Sequence, residues 1–126
     1  MTTPLGRVRG LGSAKSGTRT YWTKQFSGVL LAVLTPYIVI IAVMTFGRPW
    51  PEAQRTLSSL WVAPFVVMFL VVSATHMRIG MQVIIEDYIH RRTVKWGLLA
   101  ANWMFTWGIV SVALIALLKI VAFPYR

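Results

Sequence analysis

The chain has 126 residues, of which 56% are hydrophobic and only 13% charged, a balance too apolar for a soluble domain of this size. Its formal net charge of +10 would suggest nucleic acid in a soluble chain, but here the basic residues flank apolar runs. Lipid headgroups and membrane orientation account for them, no nucleic-acid partner is expected, and the fold class is an all-α membrane protein. With no cysteine, the chain can form no disulfide, thiolate metal site or self-ligated iron–sulfur cluster.

Residues 1–25 form a polar, glycine-containing arm with Arg7, Arg9, Lys15, Arg19 and Lys24 and no acid. A transit peptide shares that composition. The arm runs directly into apolar sequence, however, and is read as a retained cytoplasmic segment. Residues 26–126 are read as a three-helix membrane domain.

The first span is expected over about 26–46, without a charge and long enough for a ~30 Å hydrocarbon core. Pro36 inside it is tolerated because neighbours in a membrane bundle can satisfy the carbonyl it frees. Gly47, Pro49 and Pro51 then stop the helix. Trp50 and Trp61 lie where interfacial aromatics belong.

The second span is expected over about 57–85, with Pro64 as a first-turn or kink proline. It exceeds the need of one crossing, so it tilts or continues beyond the bilayer. After the basic connection Arg91, Arg92 and Lys95, a third span is expected over about 96–122, with Lys119 snorkelling near its end. Eight Lys and Arg residues in the arm and the second connection outweigh four in the first turn and at the C-terminal end. The positive-inside rule then puts the N-terminus in the cytoplasm and the C-terminus in the periplasm.

His76 and Arg78 are the ionisable residues deep in a span, where burial costs about 2.5–3.5 kcal/mol or more. Asp87 follows His76 by eleven residues, so on a helix His76 lies roughly 16 Å deeper in the membrane. At about 100° per residue, His76, Gly80, Val83 and Asp87 share one face. A histidine with glycine one turn on suits a flat cofactor, because the ring can bond a metal while the missing side chain admits a porphyrin edge. The same pair also suits a neutral histidine hydrogen-bonded between helices, with glycine serving close packing. His90 lies roughly 20 Å along the helix from His76, so a second histidine on the same iron must come from another chain. Arg78 points about 160° away from His76 and is assigned to a subunit interface. Tyr88 beside Asp87 reads either as an interfacial anchor or as a phenol that hydrogen-bonds a quinone carbonyl.

The run His76-x-x-x-Gly80-x-x-Val83-x-x-x-Asp87-Tyr88 resembles the signature of a family of hydrophobic membrane anchors of succinate dehydrogenase, respiratory complex II. The arm from Leu5 through Thr18, and Trp22 through Leu34 after it, also resemble alphaproteobacterial members. The resemblance implies half of a six-helix anchor, completed by a second three-helix anchor chain and carrying an iron–sulfur protein and a flavoprotein above it. It implies an inner-membrane location and a haem b shared between the anchors, with His76 as one axial ligand of the iron. Gly80, Arg19 and Lys24 would lie near the haem, and Tyr88 and Asp87 would bind ubiquinone. Where many members carry Gln-Arg this chain has Lys24-Gln25, so Lys24 or Arg19 is the expected source of charge for a propionate. His90 is left lining the quinone entrance. The isolated chain is not expected to catalyse anything; a fumarate reductase anchor and a cofactor-free structural anchor are the competing readings.

Overall fold

The computed structural model describes residues 3–8 and 17–123, so Arg9 and Lys15 of the basic arm lie outside the described residues. Among the described residues five helices follow in order: α1 (Pro4–Val8), α2 (Gly17–Thr45), α3 (Trp50–Ser58), α4 (Ala63–Tyr88) and α5 (Arg92–Ala122). No strand occurs among the described residues. Helices α2, α4 and α5 are long and apolar enough to cross a membrane. The protein is therefore an all-helical, multi-pass membrane protein with three candidate spans. Helix α4 is central: it packs along both α2 and α5, while α3 rests mainly on α5.

The helix bounds differ from the expected spans in two informative ways. Helix α2 starts at Gly17, so the C-terminal part of the basic arm is helix continuous with the first span. The stretch before the second span is not a plain loop. Pro49 caps α3 and Pro51 sits in its first turn, where a missing N–H and a fixed φ favour a helix start. The stop lies earlier, at Gly47, whose φ of +76° suits a residue without a Cβ. Ser59 then turns the backbone extended, and α4 begins at Ala63 with Pro64 in its first turn.

The interior is thin, as befits three helices whose outer faces meet lipid or another chain. Leu34, Ala74, Ile79, Val110 and Leu117 are buried between the helices, while large apolar side chains such as Phe26, Val33, Met104 and Leu118 are exposed. In hydrocarbon every polar group needs an internal partner. Several hydroxyls find one in their own helix: Thr35, Thr45, Thr75 and Thr106 each donate to the carbonyl four residues back.

Both ends of α5 are tied to neighbours. At one end Lys95 Nζ donates to the Glu86 carbonyl at 3.0 Å, satisfying an acceptor in the last turn of α4. At the other, the buried Gln54 amide donates to the Ile120 and Phe123 carbonyls, each at 2.9 Å. Helix α4, held between its two neighbours, carries most of the chemically distinctive residues.

Candidate functional site

The centre of the site is the pairing of α2 with α4. His76 is half-buried, and its Nδ1 lies 2.8 Å from Ser27 Oγ on α2. Ser27 is itself buried and its hydroxyl reaches back 2.9 Å to the Lys24 carbonyl. A hydroxyl carries one proton, and a carbonyl can only accept. Both bonds exist together only when Ser27 donates to Lys24 and accepts from an Nδ1–H of His76. That tautomer leaves Nε2 as the nitrogen with a free lone pair. Nε2 has no hydrogen-bond partner among the described residues, and no side-chain nitrogen or oxygen there is both enclosed and unpartnered.

Gly28 makes this contact possible. A Cβ built on it would stand 3.3 Å from His76 Cε1, tighter than nearly all real Cβ contacts. The imidazole edge therefore rests against bare backbone of α2. Neither Ser27 nor Gly28 stands out in the sequence. The available signal is a small polar-plus-glycine pair within an otherwise bulky first span.

Gly80 lies one turn beyond His76, and a Cβ there would meet nothing within 4 Å among the described residues. Close packing between helices of this chain is thus not why glycine occupies the position. The space beside it is open, free for a flat group held outside the chain. The donor set is consistent with such a group: one oriented imidazole, an available Nε2 and a smooth turn next to it. Among the described residues no cluster of three or more His, Asp or Glu exists.

Two other residues expected near that site, Arg19 and Lys24, precede Ser27 on α2. Lys24 lines a groove of about 370 Å³ of mixed polarity with Tyr21, Gln82 and Glu86. Arg19 is exposed, and its carbonyl accepts from Thr23 Oγ1. Arg78 is half-buried, and its carbonyl accepts at 3.0 Å from Asn102 Nδ2 on α5.

At the end of α4, Asp87 and Tyr88 are exposed, Tyr88 at 78%. Glu86 is engaged by Gln82 Nε2 at 2.8 Å, whereas Asp87 has no hydrogen bond or ion pair among the described residues. Beside Tyr88, an apolar groove of about 470 Å³ runs between α4 and α5, lined by Met81, Ile84, Leu98, Asn102 and Phe105. His90 follows the helix end and is exposed, well away from His76. The structure therefore separates two stations along α4: an imidazole deep in the span, and a carboxylate–phenol pair at its end.

The family model described as succinate dehydrogenase/fumarate reductase transmembrane subunit matches residues 1–118. The succinate dehydrogenase hydrophobic membrane anchor subunit of Paracoccus denitrificans is 29% identical over 93% of this chain and 90% of its own length. The succinate dehydrogenase membrane anchor subunit of Reclinomonas americana is 32% identical over 60% of this chain and 66% of its own. The hydrophobic membrane anchor subunit from Rickettsia conorii is 29% identical over 66% of this chain and 67% of its own. No solved structure gives a significant match.

Proposed function

The chain belongs to the succinate dehydrogenase/fumarate reductase transmembrane-subunit family, and from that membership we propose how its residues serve such a complex. It acts as a membrane anchor of succinate:quinone oxidoreductase, in a bacterial inner membrane, with its N-terminus in the cytoplasm. Its partners are a second membrane anchor, an iron–sulfur protein and a flavoprotein. The names of its relatives favour succinate oxidation over fumarate reduction.

The observation that carries this reading is the hydrogen-bonded His76 imidazole beside the open turn at Gly80. His76 Nε2 is the atom that would hold haem b, together with a residue of the second anchor. When bound, that haem supplies a one-electron redox centre. This chain's contribution is to present one nitrogen in one orientation and to keep bulk away from the ring plane.

Tyr88 and Asp87 serve ubiquinone. The phenol donates a hydrogen bond to a quinone carbonyl, and the unpaired Asp87 carboxylate is available to accept or pass on a proton. The apolar groove beside Tyr88 supports this, because a quinone carries a hydrocarbon tail needing such a surface. With no cysteine, the chain ligates no iron–sulfur cluster of its own and leaves those centres to a soluble partner.

Affinity purification on a tag carried by this chain, from membranes that express it, tests the proposal. Two soluble proteins, a second small membrane protein and a b-type Soret and α-band are expected to co-purify. An assembled complex without b-type absorbance would instead make the chain a cofactor-free anchor.

A further inference from the structure

The reading of His76 as a haem ligand leaves open what holds its ring. Aiming an imidazole requires a bond at the nitrogen that does not meet the metal, and such a partner fixes both tautomer and ring plane. We propose that Ser27 is that positioning residue, acting with the bare backbone of Gly28 as a two-point mount for the His76 ring. The proposal rests on His76 being an axial ligand and goes beyond it by naming the group on α2 that sets the ligand's direction and electron-donating strength.

Four observations converge on this mount. Ser27 Oγ and His76 Nδ1 are 2.8 Å apart across two different helices, so the bond is a tertiary one that neither helix would form alone. Ser27 is only 8% exposed, in a part of the chain where water is not at hand to replace it. Its own proton is committed to the Lys24 carbonyl, which turns the hydroxyl into an acceptor and so selects Nδ1–H. Gly28 leaves room for one edge of the ring, since a Cβ there would stand only 3.3 Å from Cε1.

The chemical consequence follows from the acceptor role. A hydrogen bond from Nδ1–H to oxygen leaves the imidazole more electron-rich, and a more basic axial ligand favours the ferric over the ferrous state. Removing the acceptor should therefore raise the haem reduction potential and loosen the ring plane. A serine that merely fills space between helices would do neither when exchanged for alanine.

The test uses the purified intact complex carrying Ser27→Ala, Ser27→Thr or His76→Ala. For Ser27→Ala we expect a several-fold higher ratio of reduced to oxidised haem at a fixed ambient potential, where tenfold corresponds to about 59 mV for one electron. The ferric haem electron paramagnetic resonance signal should shift or broaden with it. Ser27→Thr retains the hydroxyl and should return both readouts toward wild type. Loss of haem from Ser27→Ala but not from Ser27→Thr supports the proposal equally. An unchanged potential and signal in Ser27→Ala, or equal effects of alanine and threonine, would overturn it while leaving His76 a ligand. A wild-type haem spectrum in His76→Ala would remove the ligand reading itself and the proposal with it.

Discussion

His76 crowds the bare face of Gly28: its Cε1 lies 3.3 Å from where a Cβ on residue 28 would stand. An added methyl group would force the ring to give by a few tenths of an ångström. Gly28→Ala is therefore expected to preserve assembly while shifting the haem α-band or its resonance signal. Gly28→Val, with a stiff branched side chain, should lower haem content in the purified complex. Haem-to-protein ratio and low-temperature spectra of the two variants check the order.

Gly80 makes the contrasting case, since nothing among the described residues approaches its missing Cβ. Gly80→Leu should leave membrane insertion of this chain intact, because no neighbour in its own bundle is displaced. Haem incorporation and association with a second anchor should fall sharply. Quantifying the variant in membranes alongside haem in the purified complex separates these effects; equal loss of both would point to a folding role.

Tyr88 is exposed at the end of α4, so removing its hydroxyl disturbs little of this chain. Tyr88→Phe should slow succinate-dependent quinone reduction roughly ten-fold or more, as loss of a group that acts by proton transfer or hydrogen bonding does. Succinate oxidation with an artificial soluble acceptor should persist near wild type. Parallel decline of the two activities would indicate failed assembly instead.

Gln54 predicts a stability effect remote from either station. Its amide donates to the carbonyls of Ile120 and Phe123 in a buried setting. Gln54→Leu strips both acceptors of that donor and should destabilise the C-terminal end of α5 by about 1–3 kcal/mol. Proteolysis or hydrogen exchange of that segment in detergent should report it, with haem spectra unchanged.

Much of α4 could be read in one dimension because helical periodicity is local. The spacing of His76, Gly80 and Asp87 already implied a common face, and along it Gly80 has open space and Asp87 is exposed. Ser27 and Gly28 escaped because their importance arises only when α2 lies beside α4, a pairing that no periodicity within either segment encodes. Helix α3 escaped for a different reason. Pro49 and Pro51 look like helix breakers in a string, yet in a first turn the same residues begin one. Lys24 and Arg19 were singled out by resemblance alone; that Lys24 shares a groove with Gln82 and Glu86 of α4 emerges only once the two helices are paired.

The bonds at the two ends of α5 also have a mechanical meaning. With 31 residues, α5 is roughly 46 Å long at the usual helical rise, longer than the ~30 Å hydrocarbon layer. Pinned by Gln54 at one end and gripping the last turn of α4 through Lys95 at the other, it works as a strut of fixed length. The far surface of the membrane thereby sets the height of the α4 terminus. Tyr88, exposed at that terminus, is thereby held at a depth that the length of a neighbouring helix sets.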